Sequence, residues 1–446
     1  MVFRWSKHTL GGANYQCRID RWCWGCDDHY VISASELDAR DPLGGFRDRF
    51  VHNSSEPDLI YLDGNSLGRQ PRAAADVVAR VVDREWGERL IRGWNEGWLE
   101  IAESVGDLIG ELLGARPGEV VLAENTSVCL YKAVVAALWE RSSRRKVVTD
   151  DENFPSDIQI LRSACRIAGS DQIVEVVETS ATTDPTGALL DAIDESTAVV
   201  SLSHVAYRSG RRWDLKAVNR AAEQAGALVV WDFSHSVGAI PIDVAAEGVD
   251  VAVGCTYKYL NGGPGAPAFI YVSSQQSALS NPISGWFGSQ KPFDFDYQSP
   301  PADGIQRFLT GTPHVVSAAL IRPGIELLLE AGMDSVYEKS VGLTERFIDL
   351  CDNQLARFGF EIATPRDAAS RGSHVAVVHA QAQAIGLALI NEQSVIPDFR
   401  PPDLLRFGFA PLYIGFADVD STVKRIVDVV EGGGIDRWKD NTPLVP

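Results

Sequence analysis

Two kinds of apolar pattern alternate along the chain. Short, nearly continuous apolar runs at 119–124, 146–150, 172–178, 197–205, 227–233 and 250–256 are separated by stretches at 127–140, 156–169 and 214–226 with helical periodicity. Continuous runs bounded by turn residues predict strands buried on both faces, and the longer periodic stretches predict helices with one apolar face. Strands alternating with helices of this length predict an α/β fold, a mainly parallel sheet sandwiched by helices. Helical patterns at about 313–333 and 337–358 then lead to a shorter series: strand 373–380, helix 382–393, strands around 398–400 and 404–409, and helix 417–431. That order predicts a smaller C-terminal α+β domain. Upstream, Ser33 caps a helix within 33–43, and Gly64, Asn65 and Gly68 shape a turn before a helix starting at Pro71. No repeat or low-complexity linker interrupts the chain, so the division between domains falls inside helices, between 320 and 345. The expected units are an extension at 1–33, an N-terminal segment at 34–70, a large domain at 71–325 and a small domain at 326–446.

With 446 residues the chain can form two or three units of roughly 150 residues each. A formal net charge of −19 argues against nucleic acid as a partner, without fixing the charge inside any pocket. No apolar run approaches the ~20 residues needed to span a bilayer, and no apolar signal core marks the first thirty residues. Seven cysteines, an odd number in so long a chain, suit reduced thiols and a cytoplasmic setting. Cys23 and Cys26, with Cys17, His8 and His29 nearby, could form half a zinc site. No second such pair follows, so a loose extension without metal is expected there.

The chemistry gathers where the apolar runs end. One run stops at Asp232, with His235 three positions on; the next delivers Tyr257 and Lys258 into a Gly/Pro-rich loop. Open α/β sheets bind ligands beyond the carboxyl ends of their strands, so a carboxylate and an amine reach one sheet edge together. Pyridoxal phosphate requires that pairing: the amine condenses with its aldehyde, and the carboxylate keeps its ring nitrogen protonated. Taken singly, Lys258 also reads as a solvated loop charge and Asp232 as a helix cap. Thr126 and Ser127 read as an N-cap or as a phosphate site at a helix N-terminus, and Asp157 as a cap or a cofactor contact. Trp94, in the loop 91–98, reads as packing or as an aromatic wall for a substrate ring. Arg406, between Leu405 and Phe407, reads as a strand residue facing water or as a carboxylate fork. Arg400 reads as structural. Gly263, Gly265 and Ala268 spell a dinucleotide fingerprint, but a strand pattern follows where that motif needs a helix, which excludes a nicotinamide site.

WDFSHSVGAIPID (231–243) and GCTYKYLNGGPGAPAFIYV (254–272) closely resemble the matching segments of kynureninases, which are fold type I pyridoxal-phosphate enzymes of the aspartate-aminotransferase-like group. YLDGNSLGRQP (61–71), NFPSD (153–157), RFLTGTP (307–313) and DFRPPDLLRFGFAPLY (398–413) resemble the same family and follow its order. The resemblance implies hydrolysis of the Cβ–Cγ bond of kynurenine, or of a 3-hydroxy or otherwise substituted form, to an anthranilate and alanine. It implies Lys258 as cofactor lysine and base, Asp232 at the ring nitrogen with His235 paired to it, and Tyr257 on the phosphate and in proton transfer. Thr126, Ser127, Pro155, Ser156, Asp157 and Ser203 are implied around the cofactor, with Phe154 stacked on its ring. Arg406 would grip the α-carboxylate, with Trp94 and Asn65 also at the substrate. Trp286 and Thr312 would reach the phosphate of a neighbouring subunit, implying a homodimer with shared active sites. The rivals are another enzyme of this fold type, an aminotransferase or a cysteine desulfurase, and a silent cofactor-binding protein. A desulfurase needs a cysteine on a mobile loop, whereas Cys351 lies in a helical pattern. No pattern marks the donors to the oxyanion that hydration would create.

Overall fold

The computed structural model describes residues 32–169 and 172–441, so the Cys17, Cys23 and Cys26 motif lies outside the described residues. In chain order the first strands are β1 (Ile60–Tyr61), β2 (Val120–Leu122), β3 (Lys146–Asp150), β4 (Ile173–Val177), β5 (Thr197–Ser203), β6 (Leu228–Asp232), β7 (Val251–Gly254) and β8 (Phe269–Val272). The central sheet has the order β2-β8-β7-β6-β5-β3-β4. Strands β3 to β7 pair in parallel, and β8 runs antiparallel to both of its neighbours. Every residue of β3, β5, β6 and β7 is buried, as their unbroken apolar runs require, while β4 is an edge strand with partly exposed residues. Strand β8 follows the Gly/Pro loop directly, so no helix is there to receive a dinucleotide.

A second, antiparallel sheet has the order β12-β13-β10-β9, formed by β9 (Glu361–Ile362), β10 (His374–Val378), β12 (Asp398–Arg400) and β13 (Leu404–Gly408). Strand β11 (Val395–Ile396) pairs in parallel with β1, which joins the N-terminal segment to this smaller unit. Helix Ala34–Arg40, capped by Ser33 through a capping box with Glu36, packs against helix Phe416–Glu431. There Asp38 accepts from Phe416 N at 2.6 Å and Ala417 N at 2.9 Å, placing a carboxylate on that helix's positive end. At Gly332 (φ 76°) the chain passes from helix Val315–Ala331, packed on helix Ile101–Leu113, to helix Met333–Leu350, packed on Phe416–Glu431. No described helix is long and apolar enough to cross a membrane.

Candidate active site

A cavity of about 200 Å³ opens beyond the carboxyl ends of the central strands, between the large sheet and the β12–β13 pair. Asp232 ends β6 and lines it; its Oδ1 accepts from Ser234 N at 2.7 Å. Turns rather than a helix follow at 233–240, which removes the capping alternative. Lys258 Nζ lies 2.9 Å from His235 Nε2 in the same cavity, so it is not a solvated loop charge. This corrects the pairing expected for His235, which turns to the lysine instead of Asp232. Burial, then the charge of Lys258, hold the His235 pKa well below its ordinary value, so the ring is neutral and Nε2 accepts. Its Nδ1 is buried without a partner.

Asp157 faces Asp232 from the first turn of helix Pro155–Ala168. The N-cap there is Phe154, so Asp157 is not the cap. Burial first, then the charge of Asp232, push its carboxyl well above the usual range. Its buried Oδ2 also lacks a partner. The neighbouring helix, Thr126–Glu140, is capped by Asn125, whose side chain accepts from Val128 N at 3.0 Å. Thr126 and Ser127 are therefore released from capping, and both line the cavity. Ser127 Oγ meets Ser156 Oγ at 3.1 Å where the two helix N-termini converge. Backbone amides and positive dipole ends at such a junction favour an anion. Phe154, 41% exposed, presents its ring at the cavity and meets Tyr207 edge-on at 5.2 Å. Two unpartnered buried polar atoms, a carboxylate and an amine at one sheet edge, an open aromatic face and a two-helix anion site together fit pyridoxal phosphate.

The small sheet supplies the opposite wall. Arg406 is 1% exposed, which ends the water-facing alternative. The register opposes Asp398 to Arg406, so in a pleated pair Asp398, Arg400 and Arg406 share one face. Arg406 donates from Nε and one Nη to Asp398, at 2.5 Å to Tyr207 O, and at 3.1 Å to Ser66 Oγ. Asn65 is fully buried in this wall with both amide atoms unpartnered.

Several expected residues sit elsewhere. Ser203 Oγ donates to Asn153 Oδ1 at 2.8 Å, the same oxygen that accepts from Phe154 N, so Ser203 does not line the cavity but steadies the residue beside Phe154. Pro155 and Ser156 start their helix without lining the cavity. Trp94, Trp286 and Thr312 are also absent from the walls of their own chain's cavity. Trp94 packs on Phe287 (5.8 Å) and Phe293 (6.3 Å), and Trp286 packs on the same two rings (5.0 and 5.6 Å). The sequence reading missed Ser66, Ser234 and Arg400 as lining residues. For Arg400 a signal existed: alternation along Asp398-Phe399-Arg400 points the two charged residues the same way.

The family model described as kynureninase C-terminal domain matches residues 336–426. The kynureninase of Pseudomonas fluorescens is 40% identical over 401 residues, covering 89% of this chain and 94% of that protein. That of Burkholderia pseudomallei (strain 1106a) is 40% identical over 404 residues, covering 89% and 95%. Among solved structures, an apo cysteine desulfurase from Thermococcus onnurineus NA1 matches with a TM-score of 0.73 at 17% identity, over 87% of this chain and 98% of that one. A C-DES mutant with glycine covalently linked to its PLP cofactor matches with a TM-score of 0.74 at 16% identity, over 86% and 99%. The structural matches establish fold type I alone. Identity of 40% along nearly the full length of both relatives carries further: the chain belongs to the kynureninase family.

Proposed function

We propose that the protein uses pyridoxal phosphate to hydrolyse the Cβ–Cγ bond of L-kynurenine or a ring-substituted form, releasing an anthranilate and L-alanine. The observation that carries this reading is Lys258 beside Asp232, facing Arg406 across one cavity, in a chain of this family. When bound, the cofactor supplies an electron sink for the substrate's Cα. Lys258 moves the Cα proton, and neutral His235 holds its amine in place through Nε2. The Tyr257 hydroxyl is held protonated by the neighbouring Cys255 and by burial, and would serve as a donor to the cofactor phosphate. Thr126 and Ser127 complete the anion site, with Ser156 bracing Ser127 and Phe154 covering the ring. Arg406 fixes the α-carboxylate, and with it the orientation of the bond to be broken. Asn65, an unpartnered amide in the cavity, gives the substrate a neutral donor.

The desulfurase rival is disfavoured. Cys129, Cys165, Cys255 and Cys351 are all buried, and burial raises each thiol, leaving no accessible thiolate among the described residues. The aromatic face supports a homodimer. Ile91 (76% exposed) lies in the same short helix as Trp94, and Phe295 (77% exposed) stacks on Trp286 at 6.1 Å, exposed apolar side chains of the kind that line an interface. In that reading Trp94, Trp286 and Thr312 complete the partner's cavity, and the setting is cytoplasmic. Gly332 then divides the large domain from the small one.

The test is direct. Purified protein with pyridoxal phosphate is given L-kynurenine and 3-hydroxykynurenine, and the aromatic amine and alanine are quantified. Failure to release either product from both substrates refutes the assignment.

A further inference from the structure

Arg400, which its sequence context presents as structural, is placed by the fold at the cavity. It lines the cavity with Arg406, and its side chain is 28% exposed. Its Nε donates to Asp398 Oδ2 at 3.0 Å, the oxygen that also takes Arg406 Nε. One carboxylate oxygen therefore aligns two guanidinium groups on one face of β12 and β13. The two differ in what remains to be satisfied. All three nitrogens of Arg406 already donate to protein oxygens, on Asp398, Tyr207 and Ser66. Both terminal nitrogens of Arg400 are without a protein acceptor among the described residues.

We infer that Arg400 is a direct ligand of the substrate's α-carboxylate, sharing it with Arg406. This rests on the amino-acid substrate of the proposed function. The amine of such a substrate must come to the place of Lys258, and its carboxylate is on the same carbon. The anion is thus confined to the part of the cavity next to the amine, where the arginine wall stands. A guanidinium held by Nε keeps its two terminal N–H groups as a planar fork, the shape that a carboxylate accepts. Asp398 is the positioning residue for both arginines, and Arg406, the more deeply buried of the two, sets the register.

The test compares two ligands that differ only at the carboxylate. L-alanine and L-alaninamide are titrated into the cofactor-loaded protein and followed by the change in cofactor absorbance. Arg400→Gln is expected to weaken L-alanine roughly ten- to a hundredfold, the loss that accompanies one charge-assisted hydrogen bond, and alaninamide less than twofold. Arg400→Lys should recover part of the loss. With kynurenine, KM should rise by a similar factor while kcat changes little. Equal losses for both ligands mark a merely structural arginine and overturn the inference, as does an unchanged affinity for L-alanine. If kynurenine is not turned over at all, the functional reading fails, while the alanine pair still decides the role of Arg400.

Discussion

Gly68→Ala tests how closely the N-terminal turn is fitted to the lysine loop. Gly68 N donates to Tyr257 O at 2.7 Å. A Cβ at 68 would lie 2.2 Å from Lys258 O, 2.4 Å from Asn261 Oδ1 and 2.8 Å from Asn261 Cα. Two of these contacts are backbone, so no side-chain rotation relieves them. Reaching even the 3.0 Å limit of real Cβ contacts requires the turn and the loop to separate by roughly 0.8 Å. The loop is poorly placed to yield: Asn261 N donates to Lys258 O, and Gly262 N to Thr256 O, both at 2.9 Å. Thr256 Oγ1 is bound in turn to Pro267 O at 2.6 Å. The turn therefore moves, carrying Asn65 and Ser66 away from the arginines. Overpacking of this kind costs about 1–3 kcal/mol of stability, and a displacement near 1 Å at a reacting site costs about a hundredfold in rate. The assay is kcat/KM for aromatic-amine release, with thermal unfolding in parallel. Gly45→Ala, whose added Cβ meets nothing within 4 Å, is the control. A Gly68→Ala enzyme within twofold of wild type and with an unshifted midpoint would refute the reasoning.

Lys258→Ala should lose both the cofactor absorbance band of the tethered protein and all turnover; retention of either shows that the amine at 258 is not the tether. Arg406→Ala leaves the buried Asp398 paired with Arg400 alone among the described residues, so stability should fall by about 1.5–3 kcal/mol and KM should rise at least tenfold. Unchanged kinetics would remove Arg406 from the site. Asp150 is pushed up to about 6 by burial, which outweighs the attraction of Arg211 at 3.2 Å. The folded state thus keeps a proton that the unfolded chain loses, and its contribution, complete below about pH 4, vanishes as pH rises through 6. The stability of wild type relative to the non-titrating Asp150→Asn should fall by roughly 2–3 kcal/mol from pH 4 to pH 7 in urea unfolding, and a constant difference would contradict this.

Asp232 and Lys258 were legible because each ends or follows a continuous apolar run, and the topology of parallel strands sends both to one edge. The helix cap was not, since Asn125, Thr126 and Ser127 are all capable caps in succession and only the backbone decides among them. Ser203 is indistinguishable in sequence from a ligand residue; its hydroxyl is taken by Asn153, fifty positions away. Trp94 and Trp286 are brought onto the same two phenylalanines by tertiary packing that neither local pattern encodes. Arg400 and Arg406 look alike in sequence, and what separates them is how many of their nitrogens the folded protein has already used.

The same logic explains why residues 61–68, remote in sequence from every other part of the site, belong to it. Asp63 forms a parallel bridge with Gly408 at the end of β13, while Ser66 accepts from Arg406 and Gly68 donates to Tyr257 O. One turn thereby touches the arginine wall and the lysine loop. Its backbone is bonded to both, with Gly408 N donating to Leu62 O at 2.6 Å and Gly68 N to Tyr257 O at 2.7 Å. A Cβ at Gly408 would fall 2.0 Å from Oδ1 of the fully buried Asn65 side chain, and one at Gly68 2.2 Å from the backbone oxygen of Lys258. Glycine is needed on each side because the turn is wedged between two units whose separation sets the distance from amine to carboxylate anchor. Since a substrate's amine and carboxylate share one carbon, that distance has little slack. The turn is therefore a spacer as well as a wall, and its two glycine contacts are where substitution should disturb catalysis without touching a reacting group.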